Sequence, residues 1–198
     1  MPVTTGLRPP ATDRTPTDRL LTGSLVVAPL IYLAADAMYA VRGWHDGTAA
    51  VLHVLGAIGY GLVVLWVAGR LPRTSVLATV ILLAGLIGLG GNVAYGFDAI
   101  HQSLGDVPLV DQPGTANLIK PLGLFFPLSL ALMALALGRL GLRWQAVLVL
   151  VAAVVWPVAH IANIASLAVA VNVVLVVGLG SLAWSDGRAT RAEVAGAV

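Results

Sequence analysis

Apolar residues in this chain come in blocks, each about as long as one membrane crossing, separated by short polar connections. A transmembrane helix needs ~20 predominantly apolar residues at ~1.5 Å per residue. Blocks of that kind lie at about 20–41, 48–69, 75–98, 118–138, 143–160 and 163–184. The last two belong to one apolar run from Trp144 to Trp184, roughly twice what a single crossing requires. Pro157, His160 and Asn163 interrupt that run, so a hairpin is expected there. Arg42 to Gly47, Leu71-Pro72-Arg73 and Arg139 to Arg143 supply the other short turns. Only the stretch from Gly91 to Pro121 contains a long connection. It leaves the third span through Asn92, Tyr95 and Asp98 and enters the fourth through Asn117 and Lys120.

These blocks predict an all-α integral membrane bundle of six transmembrane helices over 20–185. Residues 1–19, rich in Pro, Thr and Arg, read as a disordered cytoplasmic tail, and 186–198 as a second cytoplasmic tail. The first apolar run exceeds the apolar core of a signal peptide, so no cleaved leader is expected. Pro127 removes the helical donor to the carbonyl of Gly123 and predicts a kink in the fourth span. Ala84, Gly88 and Asn92, four residues apart, predict close packing of the third.

Composition agrees with the pattern. Of 198 residues, 59% are hydrophobic and 10% charged, against about a quarter charged in soluble domains. Mean hydropathy is +0.94. No cysteine is present, which excludes disulfides, thiolate nucleophiles and cysteine-ligated metals. A net charge of +2 spread among loops reads as topology, and no nucleic-acid partner is expected.

Charge also orients the bundle. With six spans, Arg8, Arg14, Arg19, Arg70, Arg73, Arg139, Arg143, Arg188 and Arg191 share one side, and only Arg42 and Lys120 lie opposite. The positive-inside rule therefore predicts both termini in the cytoplasm of a bacterial plasma membrane protein. His45, His53, His101 and His160 then fall at extracytoplasmic span ends, with Asp36, Asp46, Asp98, Asp106, Asp111, Asn117, Lys120 and Asn163. Buried polar groups in a membrane normally face a cavity, a partner or a pathway. This one-sided distribution predicts a polar chamber near the outer leaflet. A conduit would need polar groups continuing inward, where Ser129 and Asn172 are the modest candidates.

The candidate chemistry is acid–base. Asp36 lies ~9 Å inside Arg42 at ~1.5 Å per residue, flanked on one face by Tyr32 and Tyr39. It is a candidate protonated carboxyl; the alternative is an ion pair with Lys120 or Arg42. Asp98 and His101, at i and i+3, form a candidate acid–base couple, with a wetted helix end as the alternative. His53 shares a face with Gly56 and Tyr60, beside a small-residue groove. His160 follows Trp156 and Pro157 at a helix end. Candidate catalytic residues are thus Asp36, Asp98, His53, His101 and His160. Tyr32, Tyr39, Trp44, Asn92, Tyr95, Lys120, Trp156 and Asn163 are candidate substrate-binding residues. Aromatic faces among them would stabilise a cationic intermediate or belong to the interfacial belt, as Trp66, Trp144 and Trp184 do. The loop from Gln102 to Ala116 is a candidate lid. No H-x-x-H or H-E-x-x-H spacing is present, so no metal or other cofactor is expected.

In size and six-span architecture the chain resembles the small bacterial membrane-bound terpene cyclases. The acid-rich signatures of their soluble counterparts, D-D-x-x-D and D-x-D-D, are absent. That resemblance implies proton-initiated cyclisation of a lipophilic isoprenoid or prenylated substrate within the lipid environment. Two other readings stand beside it: a small-solute transporter, channel or export/immunity protein, and a non-catalytic membrane subunit.

Overall fold

The computed structural model describes the backbone of residues 14–195 and the side chains of 14–186. Six long helices account for the apolar blocks: α1 Pro16–Arg42, α2 Gly47–Gly69, α3 Val76–Ser103, α4 Ile119–Arg139, α5 Arg143–Ile161 and α6 Ala165–Ala195. All six have a segment long and apolar enough to cross a membrane. Two short 3₁₀ turns, Leu109–Asp111 and Gly114–Leu118, lie in the α3–α4 loop.

Local chemistry fixes the ends. Thr15 and Asp18 form a reciprocal capping box, with Pro16 in the first turn, so α1 begins before the apolar block does. The tail expected over 1–19 is therefore helical from Pro16 onward, and residues 1–13 lie outside the described residues. At the other end, helix continues to Ala195 through most of the expected second tail; residues 196–198 lie outside the described residues. Pro157 sits inside α5 and does not end it. Asn163 does: it takes a left-handed φ of 54°, which asparagine tolerates better than most residues. The Ile164 amide then reaches back to the Ala159 carbonyl at 2.8 Å, closing the helix as a Schellman cap does. Gly105, at φ 94°, closes α3 in the same way, with Asp106 N–H donating to His101 O.

Packing makes a closed ring. Each helix packs on its sequence neighbours, and α6 returns to α1; α2 also touches α4 across the middle. Arg14 and Arg70 both bind Asp186 at 2.8 Å, which draws α1, α2 and α6 together at the arginine-rich end. The start of α1 and Asp186 of α6 accordingly lie at one end of the bundle. Leu83, Leu86, Val147, Val154, Val158, Val173 and Val177 are exposed on its outer face. An apolar surface of that extent suits lipid. The half of the ring interior toward the arginine-rich end is filled by Leu25, Leu130, Met133, Leu137, Val149, Leu175 and Leu179, all fully buried.

The α3–α4 contact is the tightest. A Cβ added at Gly88 would lie 2.5 Å from Phe126 N, and one at Gly91 would collide with the backbone of Leu122 and Gly123. The small-residue face expected on α3 is a packing surface.

Candidate functional site

A cavity of about 620 Å³ opens at the end of the ring opposite the arginine cluster. Its walls come from the α1–α2 turn, α2, α3, the α3–α4 loop, the start of α4 and the end of α5. A chamber thus lies at the end where a polar one is expected, with polar groups set in a mainly apolar lining. Trp44, His53, Asn92, Tyr95, Lys120, Trp156, His160 and Asn163, all predicted site residues, line it, as do His45 and Gln102. Asp36, Tyr32, Tyr39, Asp98 and His101 do not reach its surface.

Asp36 is completely buried one layer behind the wall. Its Oδ2 accepts a hydrogen bond from Asn172 Nδ2 at 2.6 Å and lies 3.3 Å from His160 Nε2. That second contact has ion-pair distance without hydrogen-bond alignment, since Nε2 makes no bond meeting angular criteria. Neither Lys120 nor Arg42 is its partner, contrary to the ion-pair alternative. Lys120 reaches Asp111 at 3.4 Å and Arg42 reaches Asp46 at 3.6 Å. Asp36 instead joins α1 to α5 and α6.

The His160 tautomer follows from its other nitrogen. Nδ1 lies 3.0 Å from the Trp156 carbonyl, and a carbonyl only accepts, so Nδ1 carries a proton. His160 Nε2 and Asp36 Oδ2 thus face each other as a buried histidine–carboxylate pair. His160 lines the cavity, with the Asp36 carboxylate behind it and both ring nitrogens turned toward protein groups.

A second chain of hydrogen bonds fixes His53. Asn92 Nδ2 donates to Gly88 O at 2.9 Å, which turns its Oδ1 toward Tyr32. The Tyr32 hydroxyl donates to that oxygen at 2.8 Å. Its single proton is then used, so His53 Nε2, 3.0 Å away, is the donor in that contact. His53 Nδ1 is left buried without a partner. A neutral ring in this tautomer presents a lone pair there, the form a general base requires. The groove expected beside Gly56 is occupied: the Tyr32 ring lies 2.5 Å from where a Gly56 Cβ would sit.

Aromatic rings link these two groups. Trp156 stacks on His160 with centroids 4.1 Å apart, and Phe126 lies 5.3 Å from Trp156. Tyr32 and Tyr60 pack against Phe126 from the other side, while Tyr95 lies 5.6 Å from His53. Tyr39 stacks on Trp44, so it supports the wall from behind. Trp144 and Trp184 are exposed near the arginine-rich end, as interface residues are; Trp66 is buried beneath Arg70, which lies 4.3 Å from its ring.

Asp98 has a different task from the one its spacing suggested. α3 does continue past it, yet Asp98 and His101 form no couple. Asp98 is buried and accepts from the amides of Leu109 at 2.7 Å and Val110 at 3.3 Å, and from Gln102 Nε2 at 3.3 Å. His101 is exposed and pairs with Asp106 at 2.9 Å. Asp98 thus ties down the loop whose Pro108, Val110 and Asp111 line the cavity. Gln102 also binds His45 Nδ1 at 2.8 Å, through Oε1. We expect Asp98→Ala to free this loop at a local cost of about 2 kcal/mol, the scale of hydrogen bonds to a charged acceptor. The amides of Leu109 and Val110 should exchange hydrogen roughly 30-fold faster. Unchanged exchange at both would show that the loop is held by something else.

Among the described residues, no group of three or more His, Asp or Glu side chains has metal-binding geometry. Neither protein-family models nor curated proteins nor solved structures gave a match to this chain.

Proposed function

We propose that this protein is an intramembrane enzyme that acts on a lipophilic isoprenoid or prenylated substrate by acid–base chemistry, with proton-initiated cyclisation as its reaction. The observation that carries the reading is two histidines on one cavity with opposite surroundings: His160 Nε2 lies 3.3 Å from the buried Asp36 carboxylate, while His53 Nδ1 is buried without a partner. Such a pair of environments assigns acid and base roles. The His160–Asp36 pair gives its proton to an epoxide oxygen or alkene carbon. The C–O bond or π bond yields its electrons, and a carbocation forms. Internal alkene electrons close the ring, and His53 Nδ1 removes the final C–H proton to leave a new alkene. One proton enters and one leaves, so the net reaction is an isomerisation, and the proton returns to the acid pair before the next turnover. The faces of Trp156, Tyr95 and Trp44 suit the intermediate charge. The bias of arginines toward the other end supports an orientation with this cavity extracytoplasmic.

A transporter would need polar groups running from this cavity to the arginine-rich end, where apolar side chains fill the ring. Turnover of a prenylated epoxide in lipid nanodiscs tests the catalytic reading. His53→Gln keeps a side chain of similar volume with an N–H for Tyr32 and removes the base, so product formation should fall about 10²-fold or more. Full activity in that variant would remove His53 from the mechanism.

A further inference from the structure

The cavity has two kinds of rim, and together they specify how a molecule enters and lies. Leu124 of α4 and Ile161 of α5 both line the cavity and are themselves 46% and 69% exposed. The cavity wall is therefore continuous with the outer apolar face between these two helices. His45, Asp111, Lys120 and Asn163 line the same mouth, are exposed, and come from the turns and the first turn of α4. An opening with an apolar side edge and a polar top edge straddles the boundary between acyl chains and water. Deeper in, the wall becomes Tyr95, Trp156 and Gly123, and Gly123 offers open space where a side chain would project.

Resting on the acid–base reading above, we propose that the substrate is an amphiphile taken sideways from the bilayer through the gap between Leu124 and Ile161. Its unsaturated chain end lies against Trp156 and Tyr95, between His160 and His53. Its polar head stays at the rim, where Lys120 and His45 suit an acidic or hydrogen-bond-accepting group. The Lys120–Asp111 contact is long at 3.4 Å, and both side chains are exposed, so Lys120 exchanges that partner at little cost. A cavity of about 620 Å³ falls in the ~300–1,000 Å³ range of small-molecule sites. It takes one such chain, not a whole phospholipid with two.

Photocrosslinking in nanodiscs tests this with two probes, each a farnesyl chain on a hydroxybenzoate head. One probe carries a diazirine at the chain end and the other at the head. The chain-end probe should label Tyr95 or Trp156, and the head probe residues 108–120. Gly123→Phe should reduce chain-end labelling at least tenfold, while Gly90→Ala, outside the cavity and with nothing within 4 Å of the added Cβ, should retain it and report a sound fold. Leu124→Trp combined with Ile161→Trp should slow labelling from the bilayer at least tenfold. Labels in the reverse order, chain-end labelling indifferent to Gly123→Phe, or labelling rates indifferent to the paired tryptophans would each overturn the proposal. Correct labelling without turnover would leave this binding mode standing and sink the catalytic reading. Turnover with the chain end mapped outside the cavity would do the opposite.

Discussion

Replacing Asp36 with asparagine should lower turnover by about 10²- to 10⁴-fold, the range that a positioned proton donor contributes, and leave the fold in place. Asparagine keeps the shape of the carboxyl and offers an oxygen for Asn172 Nδ2, now at 2.6 Å from Asp36 Oδ2. What it removes is the carboxylate 3.3 Å from His160 Nε2, half of the proposed acid pair. Asp36 is fully buried and does not line the cavity, so it acts through His160 as a positioning residue. Activity alone would not separate that role from a structural one. ¹⁵N spectra of the histidine ring do, because the His160 Nε2 resonance should shift in Asp36→Asn while Nδ1 stays bonded to the Trp156 carbonyl. Spectra identical in the two proteins would mean that Asp36 does not govern the His160 proton. Deleting the carboxylate outright is a poorer test. In Asp36→Ala, His160 and Asn172 are both left without a buried partner, and stability falls for reasons unrelated to chemistry.

Much of this architecture is legible from block length. Six apolar runs and one long loop define the six helices and their order, and the one-sided placement of His, Asp and Asn residues marks the end where the cavity lies. Eight of the predicted site residues line it for that reason. The partners of Asp36 were not legible. Opposite charge suggested Lys120 or Arg42, whereas the closing of the ring, with α6 returning to α1, brought His160 and Asn172. Register between helices distant in sequence leaves no local trace. Asn172 did leave a signal: an amide alone in the apolar middle of the last span needs a buried partner. Asp98 was misleading for a geometric reason. Residues three apart on a helix sit ~60° apart around its axis, and those four apart ~40°. Gln102, at i+4, takes the contact expected of His101, and the loop amides take the rest.

Gly91→Ala and Gly90→Ala, neighbours on α3, should move stability in opposite directions. At Gly90 an added Cβ meets nothing within 4 Å. Alanine there gains helix propensity of up to about 1 kcal/mol and constrains the unfolded chain. At Gly91 the Cβ would strike the backbone of Leu122 and Gly123 in α4. Backbone cannot swing aside as a side-chain tip can, so the two helices must separate, at about 1–3 kcal/mol for overpacking of this kind. Gly88→Ala should behave as Gly91→Ala does, since its Cβ would sit 2.5 Å from Phe126 N. Displacing α4 also displaces Phe126 and Gly123, which lie under and beside the cavity. Gly91→Ala should therefore weaken capture of the chain-end probe as well as lower the unfolding midpoint in detergent, while Gly90→Ala leaves capture unchanged. Equal shifts in the two unfolding midpoints would mean that the glycine contact does not set the spacing of α3 and α4. A destabilised Gly91→Ala that still bound the probe normally would separate that packing seam from the site.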